Sequence, residues 1–201
     1  FSINKDGSVR VRERYFVSDS VTGVVGKNIT IDEDLRRRLV IGFELLSHYG
    51  PAWQNRFVNL YLTTPEGAVL MYWPGKPWGL SASNWEIHGK LELTTPKDDD
   101  TILVIDEQQR LARKSSWSDF YFDYAVNDWV ISTTEPVNLN QTYMVSVGLD
   151  VLLHEFIERT LHNRLEGTYN VIFRDDGQLL AHPVFMDAIQ AQSGDPVSYT
   201  H

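Results

Sequence analysis

The sequence predicts an α+β fold in which antiparallel sheets are flanked by helices. Three observations predict it: β-rich runs that come in pairs joined by short polar turns, helical apolar spacing between those pairs, and a hydrophobic content of 42% in 201 residues, enough for a sizeable core. The net charge of −9 is spread over most of the chain. That argues against a nucleic-acid partner, whose phosphates are met by basic patches, and leaves cationic ligands open. With no cysteine present, zinc-finger, redox and disulfide readings fall together. There is no run of about 18 apolar residues and no signal-peptide pattern, so any membrane anchor of a parent protein is expected outside this sequence.

Residues 1–31 mix Gly, Ser, Val and charges without a sustained period, which predicts an irregular arm with one short strand at Val9–Val11 or Tyr15–Val17. Asp32 and Asp34 then precede Leu35, Leu39, Phe43 and Leu46, giving a capping residue, first-turn acids and i, i+4 apolar spacing. This predicts a helix closed by Gly50-Pro51. Phe57–Thr64 and Ala68–Trp73 are β-rich runs separated by Pro65-Glu66-Gly67, the pattern of an antiparallel hairpin.

From Pro74 to Pro96 the chain carries Gly75, Pro77, Gly79, Ser81 and Ser83 around Trp78 and Trp85, a structured loop or short helix with aromatic anchors. Loops of this kind on a rigid sheet shape ligand pockets, and the two tryptophans serve equally well as plugs into the core. Asp98-Asp99-Asp100 reads as a solvated turn, and Ile102–Ile105 as a strand or part of a loop. Trp129–Thr133 and Tyr143–Leu149 form a second antiparallel pair, linked by the polar turn Asn138-Leu139-Asn140-Gln141.

Asp150 leads into an amphipathic helix carrying Val151, Leu152, Phe156, Ile157 and Leu161 and ending near Gly167. A further hairpin, Tyr169–Phe173 with Gln178–Ala181, turns at Asp175-Asp176-Gly177. Helix and hairpin thus recur in order. The second copy is cut short, with only a candidate helix at Val184–Ala191 and a Gly/Pro/Ser tail before His201. The predicted organisation is an irregular arm (1–31), a complete α+β lobe with its connecting helix (32–166) and a partial second lobe (167–201).

No catalytic constellation is legible. His154-Glu155 invites a zinc-protease reading, but that site needs a second histidine at i+4, where Glu158 stands. The other histidines lack companions at ligand spacing, so neither a metal nor a cofactor is expected. Gly-rich phosphate loops, nucleophile elbows and P-loop lysines are missing as well. The informative segment is Trp117-Ser118-Asp119-Phe120-Tyr121-Phe122-Asp123. In an extended chain Tyr121 and Asp123 share one face, while Phe120 and Phe122 take the other. A carboxylate facing a core needs a partner, and a ligand ammonium supplies one. Exposure of Asp123 above a buried Phe face is the alternative.

The stretches YWPGKPW (72–78), WSDFYFD (117–123), VSVGLD (145–150) and FRDDGQLLAHP (173–183) resemble the double Cache sensor regions of bacterial histidine kinases, diguanylate cyclases and chemoreceptors. The run WSDFYFDYAVNDWVISTTEPV, with GTYNVIF ahead of RDDGQLLAHP, particularly resembles Cache regions attached to diguanylate cyclases and hybrid kinases. The similarity extends from about Asp34 to Pro183.

The resemblance implies PAS-like lobes outside the cytoplasmic membrane, a complete membrane-distal one followed here by a partial membrane-proximal one. It also implies a ligand in the distal lobe, a membrane-anchored parent and pairing through a stalk helix that lies outside this sequence. In the amino-acid-binding branch, a tyrosine and an aspartate two residues apart and a later aspartate at a strand end hold the ligand amine. Tyr121, Asp123 and Asp150 occupy those positions. That branch grips the carboxylate with Arg-x-Trp-Tyr, where this chain has Lys76-Pro77-Trp78-Gly79.

Lys76 lacks the bidentate fork of arginine, and Gly79 lacks an aromatic hydroxyl. With Trp73, Trp78, Trp85 and Trp117 nearby in sequence, the expected ligand is a small amine or amino-acid-like molecule, since aromatic faces and carboxylates both attract cations. A carboxylate-binding sensor and a ligand-free structural or protein-interaction lobe are the alternatives.

Overall fold

A computed structural model describes residues 1–5, 7–11, 17, 20–26, 29–82, 115–123, 125–162, 164–173, 177 and 179–182. The fold is α+β, as the pairing of β-rich runs predicts. Among the described residues its frame is an antiparallel sheet of nine strands. The strands are β1 (Ser2–Ile3), β2 (Ser8–Arg10), β3 (Thr22–Val25), β4 (Asn59–Thr63), β5 (Ala68–Tyr72), β6 (Ser116–Trp117), β7 (Tyr121–Asp123), β8 (Asp128–Leu139) and β9 (Thr142–Leu152). They run in the order β1-β2-β3-β5-β4-β9-β8, with β6 and β7 both pairing along the outer side of β8.

Three of these strands lie where an irregular arm was expected. Residues 1–31 supply β1, β2 and β3, and β3 pairs with β5 from Thr22↔Met71 to Val25↔Ala68. The reason is tertiary: short segments without their own periodicity gain order by completing the hydrogen bonds of an existing edge strand. The expected strand at Val9–Val11 overlaps β2, whereas Tyr15 and Phe16 lie outside the described residues.

Helix α1 (Glu33–Trp53) starts as the sequence indicates, with Asp32 accepting a hydrogen bond from the Leu35 backbone N–H at 2.8 Å. It does not stop at Gly50-Pro51. A Cβ on Gly50 would lie 2.4 Å from the Tyr72 ring, so this glycine makes room for an aromatic of β5 rather than ending the helix. Pro51 lies within the last turn and has no N–H to give the carbonyl four residues back, yet the helix continues to Trp53.

The α1 face of the sheet is a core of Leu35, Leu39, Phe43 and Leu46 against Leu62, Leu70, Tyr72, Val9 and Val25. The opposite face carries Val24, Tyr61, Val69, Met71 and Trp73, covered by Trp78 of the short helix α2 (Trp78–Ala82) and by Ala125 and Val126. Covered on both sides, β5 is buried throughout, which is why it reads as an unbroken apolar run. The two hairpins predicted before Asp150 are present in this sheet. The β8–β9 turn sits at Asn140 and Gln141, both at positive φ (49° and 64°), the conformation that two-residue hairpin turns need.

The predicted helix after Asp150 begins later. Strand β9 runs through Val151 and Leu152, which pair with Ile131 and Val130, and α3 spans Leu153–His162. Arg159 of α3 donates to the carbonyls of Asn55 and Arg56 just beyond α1. The last hairpin is β10 (Ile172–Phe173) with β11 (Leu179–Ala181), and Ile172 packs on Ile157 and Leu161 of α3. The expected elements at Ile102–Ile105 and Val184–Ala191, and the turn at Asp98–Asp100, lie outside the described residues. Among the described residues no helix is long and apolar enough to cross a membrane.

Candidate ligand-binding site

Strands β4, β9 and β8 lie side by side, and their register puts Asn59 opposite Asp150 and Asp150 opposite Ser132. Paired residues of an antiparallel sheet point to the same face, so three polar side chains form a row across the sheet. The row is hydrogen-bonded throughout. Asn59 Nδ2 donates to Asp150 Oδ2 at 2.7 Å, and Ser132 Oγ donates to Asp150 Oδ1 at 2.5 Å. Tyr121 of β7 reaches the same group, its hydroxyl 2.7 Å from Ser132 Oγ. Because Ser132 has a single hydroxyl proton and gives it to Asp150, Tyr121 donates to Ser132.

Asp150 is only 6% exposed. Burial pushes its carboxyl pKa up, opposed by the hydrogen bonds from Ser132 and Asn59 and reinforced by the Asp123 charge, to about 6. The phenols of Tyr61 and Tyr121 are also raised, chiefly by burial and next by the Asp150 charge. They are neutral hydrogen-bonding groups at any physiological pH. The Tyr61 ring lies against Gly148, where a Cβ would come within 2.4 Å of it, so Gly148 on β9 admits this aromatic beside Asp150.

Of the residues singled out in the sequence, Tyr121, Asp123 and Asp150 are brought together on one face. The alternation expected for 120–123 is seen in Phe122, whose ring meets Trp129 edge-on on the other side. Asp123 has a local duty too: its Oδ1 accepts from the backbone N–H groups of Ala125 (2.7 Å) and Val126 (3.1 Å), ordering the turn that follows β7. Lys76 joins the same corner, with Nζ 4.4 Å from the Trp73 ring centroid and donating to the Ala125 carbonyl. Trp73 and Trp78 are buried in the adjoining apolar cluster.

Trp117 is not part of this group. It pairs with Thr133, on the face opposite Ser132, and its half-exposed ring meets Phe156 of α3 at a tilt of 44° with centroids 5.9 Å apart. The cause is one extra residue: from Trp117 to Tyr121 the chain advances by four while its partner strand moves by three, from Thr133 to Val130. That reverses the face, as a bulge does. Trp85 lies outside the described residues. Gly79 is where it is for packing. Its N–H donates to Thr22 Oγ1 at 3.0 Å, and a Cβ there would be 2.3 Å from the Gly23 nitrogen, so no aromatic side chain fits at this position.

Asn59, Tyr61 and Ser132 were missed by the sequence reading. The run FVNLYLTT does carry the signal, since Asn59, Tyr61 and Thr63 alternate with Leu60 and Leu62. Among the described residues no group of three or more His, Asp or Glu side chains is placed to hold a metal.

The chain is similar to solved ligand-binding domains of bacterial chemoreceptors. One is the ligand-binding domain of the Pseudomonas fluorescens chemoreceptor CtaA in complex with L-serine, at 19% identity over 70% of this chain and 53% of that one, with a TM-score of 0.46. Another is that of the Pseudomonas aeruginosa amino acid chemoreceptor PctB in complex with L-Arg, at 15% identity over 74% and 59% and a TM-score of 0.40. A third is the sensory domain of the Campylobacter jejuni chemoreceptor Tlp3 with isoleucine bound, at 13% identity over 84% and 58% and a TM-score of 0.45. This chain therefore spans little more than half the length of each. No protein-family model and no curated protein matches the sequence.

Proposed function

We propose that this chain is the extracytoplasmic sensor region of a membrane-anchored bacterial receptor and that it binds a small amine or amino-acid-like ligand on the face carrying Asp150. The observation that carries the reading is the buried carboxylate of Asp150, with Tyr121 and Asp123 beside it and no cation paired to it among the described residues. A buried carboxylate with only neutral donors is poised for a cationic partner. Lys76, the one basic residue of the candidate set, is occupied by the Ala125 carbonyl and the Trp73 ring. Among the described residues a ligand carboxylate thus has no arginine fork to meet at this face, which favours the amine over the carboxylate reading.

In this reading residues 32–166 form the membrane-distal lobe and residues 167–201 part of a membrane-proximal one. The parent carries a kinase or cyclase output, as the motif resemblance implies, and binding shifts the lobe between two states of different ligand affinity. The chain itself catalyses nothing.

The test is thermal unfolding of the purified chain against amino acids, biogenic amines, quaternary ammonium compounds and small carboxylates. A ligand at about 100 times its dissociation constant adds about 2.7 kcal/mol of stability. Amines are expected to raise the melting temperature, and Asp123→Asn, which keeps an oxygen to cap the turn, is expected to weaken that shift. Stabilisation by carboxylates alone would sink the amine reading.

A further inference from the structure

We infer that Asn59 is a ligand-contacting residue and that, with Asp150, it makes this site select amines bearing N–H groups over quaternary ammonium ions. The inference rests on the amine reading above and names the ligand class within it.

The starting point is a buried oxygen. Asn59 is 1% exposed, its Nδ2 donates to Asp150 Oδ2, and its Oδ1 has no hydrogen-bond partner among the described residues. The orientation of the amide follows from its neighbour: reversing it would set Oδ1 against an ionised carboxylate, acceptor against acceptor. Asn59 is therefore held with its donor on Asp150 and its acceptor unsatisfied. Buried carbonyls are rarely left so in native proteins, and one that is left so beside a candidate site has a lone pair free for a donor from outside the chain.

The hydrogen-bond inventory of the site points the same way. Tyr121 donates to Ser132 and Ser132 to Asp150, so neither hydroxyl proton is left for a ligand. What remains open is Asn59 Oδ1, the second Nδ2–H of the same amide, a lone pair on Tyr121 Oη and the second lone pairs of both Asp150 oxygens. All but that one N–H are acceptors. The Tyr61 hydroxyl beside them both donates and accepts. A primary ammonium brings three N–H groups to this set and a secondary one brings two. A quaternary ammonium brings none and relies on aromatic faces, and the Trp73 face is already occupied by Lys76 at 4.4 Å. A site built to hydrogen-bond an N–H group rejects analogues that lack it, because its own polar groups are left unpaired.

The experiment is isothermal titration of the purified chain with two series, each methylated stepwise on nitrogen: ethanolamine to choline, and alanine to its trimethyl betaine. Affinity is expected to fall about tenfold or more at the last methylation, where the final N–H is lost. In Asn59→Ser, checked for folding by circular dichroism, the unmethylated amine is expected to weaken about tenfold and the step at the last methylation to shrink.

Equal binding of an amine and its quaternary form would overturn the inference and leave the amine reading standing. So would an undiminished step in folded Asn59→Ser. Failure of every member of both series to bind would overturn the amine reading and this inference with it. Since the wild-type series alone decides the selectivity, a variant that does not fold leaves the proposal open to refutation.

Discussion

Ser132 and Asp150 face each other across β8 and β9, joined by a hydrogen bond of 2.5 Å, with the serine fully buried and the carboxylate nearly so. A serine at this place does two things. It gives its only proton to the carboxylate, and it leaves its oxygen to receive the Tyr121 hydroxyl. The charge is thereby held in place by neutral groups alone, at a cost in desolvation that a cationic ligand would offset.

That cost has a pH signature. The Asp150 carboxyl titrates near 6 in the folded chain against an ordinary 3.8, so between about pH 4 and pH 6 the folded state keeps a proton that the unfolded state releases. Stability contributed by this group is full below pH 4, falls as pH rises towards 6 and is flat above. Moving this carboxyl from 3.8 to about 6 corresponds to about 3 kcal/mol. Subtracting urea-unfolding free energies of Asp150→Asn from those of the unliganded wild type, between pH 4 and 8, should isolate this slope from the other carboxylates. A flat difference would refute it.

Ligand binding should depend on pH in the opposite sense. An ammonium pairs with the ionised carboxylate, so affinity should be constant above about pH 6 and fall about tenfold per unit below it. Titration of a bound amine at pH 7.5, 6 and 5 checks this, and pH-independent affinity would place the ammonium elsewhere.

Asp150→Asn should also stabilise the unliganded chain at pH 8, by about 1–3 kcal/mol, while abolishing amine binding. The new amide still accepts from Ser132 and offers an N–H that Asn59 Oδ1 can take once its amide turns. Urea unfolding with and without amine reads both effects. A destabilised variant would mean that the charge itself supports the fold.

Tyr121→Phe removes the hydroxyl that donates to Ser132 and keeps the ring. The expected loss is about 1 kcal/mol, the net worth of one such hydrogen bond, measured by the urea midpoint at unchanged m-value. No loss would show that this hydrogen bond contributes nothing to the folded state.

Gly79→Ala tests whether the departure from an aromatic at this position is enforced by the backbone. The added Cβ would lie 2.3 Å from the nitrogen and 2.6 Å from the oxygen of Gly23, neither of which is a flexible side chain. A destabilisation of about 3 kcal/mol or more is expected. Gly75→Ala, with open space but φ of +70°, should cost about 1 kcal/mol. Comparable small losses at both positions would show that β3 and α2 separate easily.

Much of the frame was legible because it is written in local patterns. The 3.6-residue spacing of Leu35, Leu39, Phe43 and Leu46 behind Asp32 marks α1, and Pro65-Glu66-Gly67 marks the first hairpin. Tyr121 and Asp123 were visible as one face of an extended run for the same reason. Gly50 was misread because a glycine that ends a helix and one that admits a neighbouring ring look alike in sequence. Only the position of Tyr72 distinguishes them.

By itself the sequence determined the α+β class, the order of helices and hairpins among the described residues after residue 31, and the pairing of a tyrosine with an aspartate on one strand face. These follow from periodicities and turn chemistry within a few residues of each other. Tertiary structure alone decided that β1–β3 join the sheet, that Trp117 turns to the opposite face, and that Asn59 and Ser132 meet Asp150. Each depends on register between strands distant in sequence: Asn59 and Asp150 are separated by 91 positions, and a slip of one residue would turn the row to the other side of the sheet.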